Sequence, residues 1–224
     1  MKNHFQKPLQ DFDYLICFDL AKFETGVSII NITDITNPCI YSVTQISIDK
    51  NDEEAYSTFF TKLNDFFEEL QREIPLDRAL VLREKQPSGH GATTTIATLQ
   101  ALAGVHAILD ITVHRYNMIE YEEGIHASSV KAWAREVLDI EKPQKTDIRD
   151  YLIKNHPEIA RLNLNITLDM SDSIALAECL INRKWNADIK DLIKEKKKKL
   201  KELKLLSAKE KLQQTIEELQ KKMI

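Results

Sequence analysis

Four carboxylates in this 224-residue chain stand where regular elements should end. Asp19 closes the apolar run DYLICFDL, and Glu84 follows a second run, ALVLR. Asp169 and Asp172 lie three residues apart at the head of the helical segment DSIALAECLI, a spacing that puts both on one helix face. If the two apolar runs are neighbouring parallel strands, Asp19 and Glu84 meet at one sheet edge, and the helix pair can join them there. Clustered carboxylates repel and raise one another's pKa unless a cation neutralises them. Hard oxygen ligands select Mg²⁺ or Mn²⁺. Two such ions about 3.5–4 Å apart can activate a water and stabilise the leaving oxygen in phosphoryl transfer. Taken singly, each residue has a plainer reading. Asp19 can be a turn residue, Glu84 a solvated strand end, and Asp169 or Ser171 a helix cap, where such side chains are favoured anyway. The joint placement, not any one residue, points to a site.

The elements that must position them are readable from periodicity. Residues 13–20, 25–33 and 39–48 are short strands separated by turn residues, which predicts a β-meander. A helix over about 52–74 carries an aromatic stripe (Tyr56, Phe59, Phe60, Phe66, Phe67) suited to packing on a sheet, with Asn51 and Glu54 as a cap-like start. Residues 79–83 form a continuous apolar strand, and a helix over about 93–109 has small residues at Ala97, Ala101 and Gly104. A fifth strand is expected at 111–118, then helices at about 127–139, 146–155 and 172–183. The expected fold is therefore α/β, a mixed five-stranded sheet with helices on its faces. The chain divides into a body, 1–186, and a Lys-rich helical extension, 187–224. Heptad-like apolar steps in the extension slip in phase between Leu203 and Leu212, where Ser207 and Glu210 form a capping-box pattern, so it is one helix with a stutter or two with a break.

Charge divides the same way. The net charge of −4 argues mildly against a nucleic-acid binder. Residues 189–224, however, hold 12 Lys against 6 acids, leaving a body of charge −10 beside a tail of +6. The tail suits either a phosphate-tracking arm or self-association through its apolar seam. With 5 Gly there is no P-loop and no dinucleotide fingerprint. Three scattered cysteines offer neither zinc spacing nor a disulfide framework. The polar N-terminus is unlike a signal peptide, and no apolar run suggests a membrane span. A cytoplasmic protein is expected, in the cell or, if viral, in its host.

Several segments together resemble the RuvC-like Holliday junction resolvases of the RNase H-like superfamily. CFDLAKFETGVSII resembles that family's first strand, catalytic Asp and Thr-Gly-containing second strand. VLREKQPSGHGATTTIATLQALAGV resembles the strand bearing the second acid and the helix after it. IHASSVKAW resembles its lysine-bearing segment, and LDMSDSIALAECL its closing acidic motif. The resemblance covers about residues 12–184 and implies an RNase H-like fold. It implies that Asp19, Glu84, Asp169 and Asp172 bind two Mg²⁺ ions, with Mn²⁺ able to substitute. It further implies that Lys131 and Lys145 contact or polarise the scissile phosphate. The implied partner is branched DNA, nicked symmetrically at a four-way junction by a homodimer joined through the 93–109 helix. Without the family pattern, the two lysines read as parts of solvated, mixed-charge helix faces, and His114 and His126 as surface or strand histidines.

Departures from the pattern mark where junction selectivity is open. Leu20-Ala21 stands where the family usually has Pro-Gly. Lys85, Gln86 and Pro87 stand where an aromatic residue often stacks on a junction base, with His90 as the nearest substitute. Three other readings compete. One is an RNase H-like nuclease acting on forks, flaps or RNA. Another is an actin-like phosphotransferase using Asp19 and Thr25-Gly26 as a phosphate loop, which the scarcity of glycine disfavours. The last is a non-catalytic DNA-binding scaffold with a coiled-coil tail, which predicts the loss of at least one acidic ligand.

Overall fold

The computed structural model describes residues 9–86, 95–121, 124–162, 165–202 and 206–222. Strands β1 (Tyr14–Asp19), β2 (Glu24–Asn31), β3 (Cys39–Ser47), β4 (Ala79–Arg83) and β5 (Ile119–Glu120) form one sheet in the order β3-β2-β1-β4-β5. The first three strands are the expected antiparallel meander, while β4 and β5 run parallel to β1. The helices are α1 (Ala55–Leu70), α2 (Ile96–Arg115), α3 (Ala127–Leu138), α4 (Lys145–Asn155), α5 (Pro157–Arg161), α6 (Leu168–Glu202) and α7 (Leu206–Lys221).

The central strands are apolar on both faces because both are covered. Every residue from Leu15 to Phe18 is buried, as is every one from Ala79 to Leu82. Edge strand β3 instead buries Ile40, Val43 and Ile46 and exposes Cys39 and Tyr41, as a strand half in contact with solvent must. Ile16, Phe18, Val27, Ile29 and Val81 point to the face holding α1 and α2. There the aromatic stripe does the packing expected of it: Phe18, Phe66 and Phe67 meet edge-on or tilted, with ring centroids 5.2–6.3 Å apart.

The fifth strand is not at 111–118. Ile111, Thr112 and Val113 are β-branched, but they belong to the last turns of α2, where Thr112 and Val113 are buried. Packing overrides β-propensity there. The helix stops at Asn117, whose φ of 51° is the left-handed conformation that asparagine tolerates, and Met118 N–H closes back on the Val113 carbonyl. The strand is the short pair that follows.

At 20 residues α2 is also long and apolar enough, by length and composition, to cross a membrane, contrary to expectation. One side of it is a core face, built from Val105, Leu109 and Val113 against α1 and the sheet. The start of the expected 93–109 helix, and with it His90, lies outside the described residues. The cap of α1 is also displaced: Asp52 rather than Asn51 bonds the Glu54 N–H and the Thr58 hydroxyl.

The chain forms two compact units, Met1–Ala177 and Glu178–Ile224. The Lys-rich extension is two helices, with α6 continuing to Glu202 and α7 beginning at Leu206. Ser207 therefore lies inside α7 rather than before it.

A candidate metal centre at the ends of the parallel strands

Strand register brings the first two carboxylates together. β1 and β4 are parallel with Phe18 opposite Arg83, so the next residues, Asp19 and Glu84, emerge side by side on the same face. That face is opposite to the one that α1 and α2 cover. Arg83 points the other way, where Asp110 of α2, Glu120 of β5 and the His106 carbonyl hold its guanidinium. Glu84 itself bridges in parallel to Ile125, which anchors its backbone beyond the end of β4.

The second pair arrives on the first turn of α6. This helix begins four residues before the expected start. Thr167 caps it, accepting a 3.2 Å hydrogen bond from the Met170 N–H, so neither Asp169 nor Ser171 is spent as the cap. The Thr167 hydroxyl also donates to Gln45 Oε1 at 2.8 Å, tying the helix start to β3. Ser171 bonds back to the Leu168 carbonyl.

Close approach of α6 to the sheet depends on Gly26. A β-carbon there would lie 2.0 Å from the Asp169 carbonyl oxygen and 2.8 Å from the Met170 nitrogen. Neighbouring Thr25 is fully buried, and its hydroxyl donates to the Ala21 carbonyl at 2.8 Å. Its oxygen also accepts from the Ala21 N–H, which fixes the loop after Asp19. Thr25 and Gly26 are thus structural supports of the site within β2, not a phosphate loop.

The result is a compact acidic group. One oxygen from each of Asp19, Asp169 and Asp172 can be chosen so that all lie within 4.8 Å of one another. Glu84 stands beside them, close enough that Asp172 raises its pKa in addition to the effect of burial. Burial, then the nearby Asp172, Glu84 and Asp169 charges, push Asp19 up to about 7 against the opposing pull of Lys145. Burial also raises Asp172 despite its ion pair with Lys145. Lys145, the first residue of α4, holds Asp172, and that bond with the surrounding carboxylates keeps the ammonium charged although burial opposes it. Lys131 is exposed on α3, near enough to Glu84 to oppose in part, with Lys145, the rise in its pKa. All six residues singled out in the sequence therefore lie in one neighbourhood.

Such a group suits a hard divalent cation. Among the described residues, the three carboxylates within 4.8 Å have one ammonium, that of Lys145, in direct contact, so the site carries excess negative charge that an oxygen-seeking cation would neutralise. Gln45 and Thr167 are site supports that residue-type reasoning passed over, whereas Thr25 and Gly26 enter it as part of the second strand or of a phosphate loop, not as the docking point of α6. Gly26 carried a signal, because an isolated glycine inside a β-branched strand often marks a close backbone approach.

His114 is exposed near the end of α2, and His126 is exposed just before α3. Lys85 and Gln86 are exposed beside Glu84, while Pro87 and His90 lie outside the described residues.

No family model matches the sequence, and no curated protein matches it. Solved structures do. RuvC of T. thermophilus in complex with a Holliday junction substrate matches over 77% of this chain and 94% of its own, with TM-score 0.52 and 10% identity. The yeast mitochondrial Holliday junction resolvase matches over 79% of this chain and 80% of its own, with TM-score 0.55 and 11% identity. The chain therefore has the RuvC-like resolvase fold.

Proposed function

We propose that this protein is a Mg²⁺-dependent, structure-selective DNA endonuclease that resolves four-way junctions by paired symmetric nicks. The observation that carries this reading is the convergence of Asp19, Asp169 and Asp172, beside Glu84, at the ends of the parallel strands of a RuvC-like sheet. Function does not follow from fold alone. Here the fold and an independently placed acidic group agree.

Asp19, Glu84, Asp169 and Asp172 would hold two Mg²⁺ ions, with Mn²⁺ as a substitute. Bound ions supply a nucleophilic water near neutral pH and positive charge for the leaving oxygen. The chain's own contribution is placement. Asp19 and Glu84 are fixed by strand register, and Asp169 and Asp172 by a capped helix start docked on Gly26. Lys145 sits at the rim, where it can exchange Asp172 for a phosphate oxygen, and Lys131 adds positive charge on the Glu84 side. The products would carry a 5′-phosphate and a 3′-hydroxyl.

Two active sites are needed for symmetric nicks, so a homodimer is part of the reading. The solvent side of α2 supports it, with Ile96, Ala103, Ala107 and Ile111 exposed at helical spacing. Gly104, one of the three small residues, instead faces inward against the Tyr56 ring of α1.

The test is cleavage of labelled four-way junction, fork, flap and linear duplex with Mg²⁺, beside Asp169→Asn. Paired symmetric nicks confined to the junction and lost in the variant support the reading. Equal cutting of linear duplex would refute junction selectivity, and activity surviving in the variant would refute the site. Preferred cutting of forks or flaps would favour the broader nuclease reading, which the missing aromatic after Glu84 keeps in view. Failure to bind Mg²⁺ or Mn²⁺ at millimolar levels, even with DNA present, would favour the scaffold.

A further inference from the structure

We propose that the lysine face of α6 is a phosphate-tracking surface for duplex DNA. This rests on the nuclease reading for the identity of the nucleic acid, and on separate observations for the surface itself.

The first observation is that the apolar seam of the extension is already covered. Within the unit Glu178–Ile224, Ile193 of α6 and Ile216 of α7 are 7% and 1% exposed, with Leu200 and Leu219 packed against them. The two helices close on each other, so among the described residues the seam that suggested self-association is covered within this unit. Apart from Leu192, the exposed residues of α6 between Lys190 and Lys199 are all charged.

The second observation is that this charge is sorted. At about 100° per residue, Lys190, Lys194, Lys197 and Lys198 fall within a sector of about 100°. All four are exposed, and among the described residues none is held in an ion pair. Asp191 and Glu195 fall to one side of the sector, and Glu195 takes Lys199 in an i,i+4 pair of 2.6 Å.

An ordinary solvated helix face intersperses the two signs to gain such pairs. Four unrelieved lysines over about 12 Å of helix instead repel one another. A linear array of negative charge relieves that repulsion, and duplex DNA carries one charge per about 1.7 Å of axis. A membrane surface fits less well. Interfacial helices pair their basic face with a free apolar one, and here α7 covers the apolar side.

The test uses the full chain with Asp169→Asn to block cutting, without divalent metal, on labelled four-way junction and linear duplex. Dissociation constants are measured from about 50 to 200 mM KCl for this parent and for a version with Lys190, Lys194, Lys197 and Lys198 changed to Gln. Removing four lysine–phosphate pairs should reduce the slope of log K against log salt by about 3–4 and weaken binding at low salt tenfold or more. The same four positions changed to Arg should keep the parent slope. Glutamine is a good helix former, and circular dichroism checks that the helix persists.

An unchanged slope overturns the proposal. So does an unchanged slope accompanied by an altered sedimentation mass, which makes the extension an assembly element, or by loss of binding to phosphatidylserine vesicles, which makes it a membrane contact. Because binding is read without cleavage, the two readings fail separately. A wild-type protein that cuts nothing refutes the nuclease, while an unchanged salt slope refutes only the DNA-tracking face.

Discussion

Replacing Gly26 with Ala tests whether backbone docking sets the acidic group. Gly26 pairs with Asp19 on one side and Gln45 on the other, so β2 cannot retreat without breaking two strand ladders. The new methyl would sit 2.0 Å from the Asp169 carbonyl oxygen and 2.3 Å from its carbon, where ordinary contact needs at least about 3.4 Å. Both obstacles are backbone, so no rotamer change relieves them. The first turn of α6 must withdraw by about 1 Å or more, carrying Asp169 and Asp172 with it and pulling against the Thr167–Gln45 bond. A 1 Å misplacement of reacting groups costs on the order of 100-fold. Overpacking of this kind costs about 1–3 kcal/mol of stability. Junction cleavage under single-turnover conditions should therefore fall about 100-fold. Calorimetric Mn²⁺ affinity should weaken, and the melting temperature should drop by several degrees. Gly104→Ala is the control. Its β-carbon would meet the Tyr56 ring at 2.6 Å, and Tyr56 is 39% exposed with room to turn. It should leave metal affinity unchanged. If Gly26→Ala binds Mn²⁺ as tightly as the wild type and cuts within threefold of it, the close approach does not position the site.

Three further outcomes follow from the charges. Lys145→Gln removes the cation on Asp172, so Mn²⁺ should bind several-fold tighter by calorimetry while cleavage falls; weaker binding would mean that Lys145 holds the helix start rather than tuning charge. Asp19 is protonated more readily in the folded protein than in the unfolded chain, so metal-free stability should rise as pH falls from about 7 towards 4. Asp19→Asn should remove that gain and raise metal-free stability at pH 7.5 by about 1–3 kcal/mol in urea melts. His106 behaves in the opposite sense. Burial, then the nearby Arg83, lower it to about 4, so the stability it contributes is present above pH 6.5 and lost as pH falls through 4. That loss is about 1–2 kcal/mol after allowance for solvent at the edge of the cavity it shares with Arg83 and Glu120. His106→Gln should flatten that limb of the difference curve, and an unaltered curve would count against it.

The elements that carry Asp19 and Glu84 were legible because each strand is short, apolar and punctuated by turns, and parallel pairing then makes their meeting a matter of register. The end of α2 was not, because Ile111, Thr112 and Val113 have strand propensity and only tertiary packing makes them helical. The start of α6 was misplaced for a related reason. Thr167 is an ordinary helix cap, but Asp169 and Ser171 after it look equally good as caps, and only the bond to Gln45, 122 positions away, settles which one acts.

That choice matters for function, since a carboxylate spent on capping is one removed from metal binding. The acidic balance of the body reads differently in this light. Asp19, Asp169 and Asp172, with Glu84 beside them, form a group whose repulsion a divalent ion would relieve, and the lysines of α6 form a group whose repulsion a nucleic acid would relieve. A net charge near zero conceals both, because each like-charged cluster is costly alone and each matches what a metal-dependent nuclease must bind.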